Sequence, residues 1–149
     1  MTVTDYFLRL PEKGYFESTP ARILAFLRQP KCGVVDEANG YLSCIGDGAQ
    51  GGFEVALFRY RDGRPLLAIC TNEVEGPDAV FLEFFELGAD GKMHLAKRSI
   101  FPAKDGKGRS FELPRHGRTV LVREGGKVVR RFGAGLSLAR RGLPFHRSG

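Results

Sequence analysis

The sequence predicts an α+β fold: a mostly antiparallel β-sheet of successive hairpins, about 7–8 strands, with one N-terminal helix packed on one face. Three observations carry this. Helical periodicity is confined to one stretch near the start; strand-like alternation takes over from Gly33 onward; and turn dipeptides punctuate the strands at Asn39-Gly40, Asp62-Gly63, Asp90-Gly91 and Gly125-Gly126. Glycine is abundant, 20 of 149 residues, and much of it sits beside Asp or Asn, which marks tight turns rather than a linker. Twelve phenylalanines and no tryptophan supply the bulk for a core.

Elements follow in chain order. The apolar patch from Asp5 to Pro11 is too short to classify and reads as a helical turn or an edge segment. The helix spans about 19–29: Ser18 or Thr19 can cap it, Pro20 suits its first position, and Pro30 stops it. Ile23, Leu24, Phe26 and Leu27 form its apolar stripe. Strands are expected at Val34-Val35, Tyr41–Ile45, Phe53–Tyr60, Pro65–Thr71, Val80–Leu87, Met93–Arg98, Arg118–Arg123 and Lys127–Phe132. A two-residue turn at Asp62-Gly63 would oppose Arg61 to Arg64, so a longer or bulged turn is expected there. At Gly125-Gly126 a two-residue turn sets Glu124 opposite Lys127; continued strictly, that register puts Arg131 beside Val120 and Arg130 beside Leu121.

Period-two sorting puts Phe53, Val55 and Leu57 on one face and Glu54, Ala56, Phe58 and Tyr60 on the other. Both faces are partly apolar, which implies a sheet covered on one side and curved or partly covered on the other. Residues 102–117 read as a polar connection. The domain is expected to span 1–134, with 135–149 a basic, flexible tail.

No window approaches the roughly 18 consecutive apolar residues that a membrane span needs. The start lacks the charged-then-apolar run of a signal peptide, so the default expectation for the chain as written is the cytoplasm, and the periplasm or secretion if an export signal was removed. Cys32, Cys44 and Cys70 have no paired spacing and read as small semi-buried residues, with Cys44 and Cys70 the better pair if one disulfide forms.

Few motifs carry chemistry. Gly46–Gly51 spells G-x-G-x-x-G, but it leads into a strand pattern instead of a helix, so it reads as a turn and not as a phosphate cradle. His94, His116 and His146 have no partner at metal spacing, and the carboxylates at Asp36-Glu37 and at Glu73–Asp78 read as loop charge. Neither a cofactor, a metal nor a catalytic residue is expected.

Charge is the one suggestive feature. The net of +6 divides into −5 over residues 1–96 and +11 over 97–149. Arg115, Arg118, Arg130, Arg131, Arg140 and Arg141 are the candidate residues for binding an anion or a partner. Two readings follow. One is a non-catalytic interaction domain that uses a sheet face or edge to bind another protein or a second copy of itself. The other is a nucleic-acid or anion binder through the basic third, whose binding would weaken steeply with salt and drop on truncation after Ala134. Aromatics for base stacking are sparse there, with only Phe132 and Phe145 beyond residue 111.

The layout of one helix followed by a hairpin meander, over residues 18–132, is loosely similar to small bacterial β-lactamase-inhibitor-like domains. That similarity is topological and brings no motif, so no residue role comes with it.

Overall fold

The computed structural model describes residues 1–12, 18–44, 52–72, 80–101, 103–104, 106, 108–134 and 145–147. Two helices, α1 (Val3–Phe7) and α2 (Pro20–Leu27), precede a six-stranded antiparallel meander: β1 (Gly33–Asp36), β2 (Tyr41–Cys44), β3 (Gly52–Arg59), β4 (Pro65–Asn72), β5 (Val80–Leu87) and β6 (Met93–Leu95). A 3₁₀ turn (Arg98–Ile100) leads to a second antiparallel sheet of β7 (Arg109–Glu112), β8 (Thr119–Glu124), β9 (Lys127–Ala134) and β10 (Phe145–Arg147), in the order β10-β9-β8-β7. The expected single sheet is therefore two, and the expected single helix is joined by a second, shorter one.

Local chemistry accounts for the ends of these elements. Thr19 Oγ1 accepts the Arg22 N–H at 3.3 Å and Pro20 takes the first helical position, as the sequence indicates; the helix stops at Leu27, with Arg28 as its C-cap. The turns at Asp62-Gly63 and Asp90-Gly91 share one design. In each, the aspartate Oδ1 accepts the N–H two residues ahead, Arg64 at 3.1 Å or Lys92 at 3.0 Å, inside a three-residue loop. The longer turn expected at Asp62 is thus present. Gly125 and Gly126 both have positive φ, 57° and 81°, the geometry a two-residue hairpin requires, and Glu124 faces Lys127.

Beyond that turn the register departs from strict pairing. Arg123 pairs with Val128, but Val122 pairs with Arg130, so β9 carries a bulge at Val129. The bulge brings Phe132 opposite Val120 and moves Arg131 opposite Leu121 and Arg130 opposite Val122. Strict pairing would have set Arg131 beside Val120, which is fully buried; the extra residue lets a phenylalanine fill that place. Deleting Val129 should regularise β9 without moving Phe132, Arg131 or Arg130 from their partners. Hydrogen exchange should then show protection retained at Val120 and Val122, with a change in stability within about 1 kcal/mol.

Alternation along the central strands builds two cores. Val55, Leu67, Ile69, Phe85 and Met93 face α1 and α2 and bury Val3, Phe7, Leu10, Leu24 and Leu27. On the opposite face Ala56, Phe58, Leu66, Ala68, Leu82 and Phe84 meet Phe101, Phe111, Leu113, Val120, Val122 and Phe132 of the second sheet and its approach. Both faces of the first sheet are therefore covered, where the sequence suggested full cover on one alone. The sorting of Val55 from Ala56 and Phe58 agrees with that division.

The stretch 102–117 holds β7, a strand whose one large apolar residue, Phe111, lies between Ser110 and Glu112. One apolar position in four residues is too faint an alternation to read. Polar ties show how this segment crosses the first sheet. Cys70 Sγ on β4 donates to the Phe111 carbonyl at 3.3 Å, the Leu113 N–H donates to Glu54 of β3 at 3.4 Å, and Arg115 Nε donates to Asp36 of β1 at 2.9 Å. Every second residue of 111–115 thus meets a strand nearer the β1 edge, so β7 and its continuation run across the strands beneath. This crossing carries the loop at 115–118 to the β1–β2 turn.

Candidate functional site

Where those elements converge, a cleft of about 350 Å³ opens, lined by residues 1–3, 37–40, 57–59, 117 and 118. Its floor comes from the outer end of β3, one wall from the β1–β2 turn, another from the start of the chain and the last from the loop before β8. It lies near the low end of the size range of small-ligand sites.

The β1–β2 wall is held by its own side chains. Asp36 and Tyr41 are paired, leaving four residues, Glu37 to Gly40, in the turn. Asp36 Oδ1 accepts from the Asn39 N–H at 3.2 Å, while its Oδ2 accepts both from Asn39 Nδ2 at 2.8 Å and from Arg115 Nε at 2.9 Å. The Arg115 guanidinium and then Asn39 push the Asp36 pKa down to about 2. With its folded pKa depressed below the ordinary 3.8, Asp36 favours the folded state above that pH, and the contribution is lost as pH falls towards 2. Glu37 Oε1 accepts from Thr4 Oγ1 at 3.1 Å and lies 3.5 Å from the Arg28 guanidinium. Thr4 in turn shares a 2.7 Å hydrogen bond with Thr2, whose N–H donates to Asp5 at 2.7 Å.

Two arginines line the cleft. Arg59, the last residue of β3, donates to the Gly63 carbonyl at 3.0 Å and to the Met1 carbonyl at 3.3 Å, and its guanidinium lies 5.7 Å from the Tyr6 ring centroid. Arg118 is exposed, and among the described residues it has neither a hydrogen-bond nor an ion-pair partner.

Beneath the crossing segment a second polar group is set between the sheets. Tyr41 Oη donates to Glu54 Oε2 at 2.6 Å, and Glu54 also accepts from Leu113. Burial is the main cause that raises the Glu54 pKa, and Glu112 adds to it. Burial and the neighbouring Glu54 carboxylate push the Tyr41 phenol well above its ordinary range. A raised folded pKa means that Glu54 favours the folded state below about 4.5 and loses that contribution as pH rises through its folded value. Glu54→Gln should therefore flatten the fall in stability between acid and neutral pH, measured by urea denaturation across that range. An unchanged slope would show that Glu54 titrates normally.

Of the six arginines singled out in the sequence, the four among the described residues do not meet at one place. Arg115 and Arg118 share the loop at the cleft, and Arg115 is committed to Asp36. Arg130 and Arg131 are exposed and point to opposite faces of β9. Arg140 and Arg141 lie outside the described residues, as do Gly46–Gly51 and Glu73–Asp78. Other cations of the basic third are matched locally: Arg109 pairs with Glu124, and Arg123 with Glu112 at 2.7 Å. Sequence reasoning missed Arg59, Asn39 and Glu37 as cleft residues. The Asn39-Gly40 turn was legible, but nothing local places Arg59 beside the start of the chain.

Among the remaining candidates, the cysteines and His94 lie apart from the cleft, whereas His116 belongs to the 115–118 loop beside it. None of Cys32, Cys44 and Cys70 is in a disulfide. Cys70 lies in the inter-sheet core while Cys44 packs towards the helices, so the two occupy opposite faces of the first sheet and do not pair. His94 Nε2 lies 2.9 Å from Asp90 at an exposed turn, and His116 is exposed. Among the described residues there is no group of three or more His, Cys, Asp or Glu able to hold a metal ion, and no helix is long and apolar enough to cross a membrane. No family model, curated protein or solved structure matches the chain, so the loose likeness to β-lactamase-inhibitor-like domains gains no support and the functional reading rests on this geometry.

Proposed function

We propose that the chain is a non-catalytic interaction domain that binds through the end of the molecule where the β1–β2 turn, the start of the chain and the 115–118 loop meet. The observation that supports this is the cleft itself: elements distant in sequence surround it, and its side chains suit recognition. Arginine, asparagine, threonine and glutamate offer hydrogen bonds and charge, while the cysteines and His94 lie elsewhere. Among the described residues the cleft lining holds neither a thiol nor an imidazole, and the hydroxyl–carboxylate contacts at its edge, Thr2 with Asp5 and Thr4 with Glu37, tie the first helix in place.

A displayed library of short random peptides, selected on the intact chain, tests this reading. Selected peptides should bind the parent and lose affinity for Ala38→Tyr, which adds bulk to an exposed cleft residue. Peptides that bind both proteins equally would move the interaction surface elsewhere, and failure to select any binder would count against an interaction domain. The division into a domain at 1–134 and a basic segment at 135–149, of which residues 145–147 pair with β9, belongs to the same proposal. Removing 135–149 should leave the selected affinity intact.

A further inference from the structure

Charge around the cleft is unevenly matched. Both carboxylates of its β1–β2 wall are answered from within the fold: Asp36 by Arg115 and Asn39, Glu37 by Arg28 and Thr4. The two arginines that line the cleft are not answered in kind. Arg59 makes two hydrogen bonds to neutral carbonyls and lies near the Tyr6 ring, and Arg118 has no hydrogen-bond or ion-pair partner among the described residues. A guanidinium carries five N–H donors, so Arg59 retains donors beyond its two bonds and Arg118 retains all of its own. Elsewhere in the basic third, Arg109, Arg115 and Arg123 each have a carboxylate. Two cations without a carboxylate therefore lie on a concave place, where walls of low dielectric strengthen their field.

We propose that this cleft receives a compact oxyanion, a carboxylate or a phosphate, with Arg118 and Arg59 as its ligands. The inference rests on the reading of this end as the binding surface and gives that surface a chemical class. Planar guanidinium groups match the two oxygens of a carboxylate or the face of a phosphate by paired hydrogen bonds. At about 350 Å³ the cleft has room for a small anion or the end of a peptide but not for a folded partner. Asn39, whose N–H and one Nδ2 hydrogen go to Asp36, has one Nδ2 hydrogen left to donate on the same wall. Glu37 opposes an anion, and its contacts with Arg28 and Thr4 reduce that effect without abolishing it.

NMR titration of the full chain with three probes tests the proposal: N-acetyl-diglycine with a free carboxylate, the same compound as its amide, and inorganic phosphate. The free acid or phosphate should shift amide signals of residues 38–40 and 117–118 saturably, and the amide should not; the stronger of the two anions identifies the source. Arg118→Gln should weaken binding about tenfold, the scale of one charge-assisted hydrogen bond. Glu37→Gln should strengthen it, an opposite change that a folding defect could not mimic. The assignment is overturned by no saturation up to roughly ten times a millimolar Kd, by equal response to acid and amide, or by unchanged affinity in Arg118→Gln. A single-stranded oligonucleotide that binds more tightly than either anion and ignores Arg118→Gln would also overturn it. Library peptides that occupy the cleft regardless of charge would leave the binding surface standing and remove only the anion.

Discussion

Truncation of Phe101 to alanine is expected to destabilise the protein by about 3–5 kcal/mol, the scale for removing a fully enclosed aromatic ring. Phe101 is 2% exposed and lies just before the second sheet begins. Its ring centroid is 5.8 Å from that of Phe84 in the first sheet, and 6.1 and 5.1 Å from those of Phe111 and Phe132 in the second. The latter two contacts are edge-to-face, an arrangement that adds to simple burial. The ring thus joins three strands of two sheets, and alanine would leave a void that none of them can fill alone. Guanidinium denaturation should show the midpoint falling with little change in slope. Phe26→Ala, at a site 47% exposed on α2, should change stability by less than about 0.5 kcal/mol in the same measurement. Similar losses at the two sites would mean that the inter-sheet layer is not the principal core.

Gly33→Ala is expected to cost about 1–3 kcal/mol or more, because the added methyl group has no place to go. A Cβ at position 33 would lie 2.4 Å from the Ser43 carbonyl oxygen and 2.6 Å from Leu27 Cδ2. One obstacle is backbone of the paired strand and the other is a helix side chain that is itself buried. Relief requires β1 to move away from β2, from α2, or from both. The effect should reach beyond stability, since β1 also carries Asp36, to which Arg115 is tied. Amide signals of residues 115–118 should shift in the variant, and any ligand of the cleft should bind less well. A variant as stable as the parent would mean that α2 does not press on β1 in solution.

These expectations mark where local sequence is informative. Thr19 and Pro20 announce the helix start because capping is a contact between near neighbours. Asp62-Gly63, Asp90-Gly91 and Gly125-Gly126 announce turns because the aspartate hydrogen bond and positive φ are properties of two or three residues. The two apolar sets in Phe53–Tyr60 announce a sheet with two faces to cover. Nothing local showed that Val120, Val122 and Phe132 of the last hairpin would cover the second face together with Phe101 and Phe111, two phenylalanines outside the expected strands.

The candidate site was less legible still. Arg115 and Arg118 stood out through the charge gradient, yet so did Arg130 and Arg131, which face elsewhere. Charge composition cannot separate an arginine held by Asp36 from one without a carboxylate, since the partner is 79 residues away. Arg59 gave no signal at all.

The sequence by itself determined the class of fold, the order and polarity of its hairpins, the helix cap and the two-faced character of the central strands, all of which follow from interactions within a few residues. Tertiary structure alone decided that the hairpins divide into two sheets, that Val129 bulges so that Phe132 replaces Arg131 opposite Val120, and that β7 crosses the first sheet to bring the 115–118 loop to the β1–β2 turn. Those outcomes depend on filling one shared core, whose demands come from side chains far apart along the chain. The cleft is a consequence of that crossing, and its unmatched arginines become visible only once the carboxylates have found their partners.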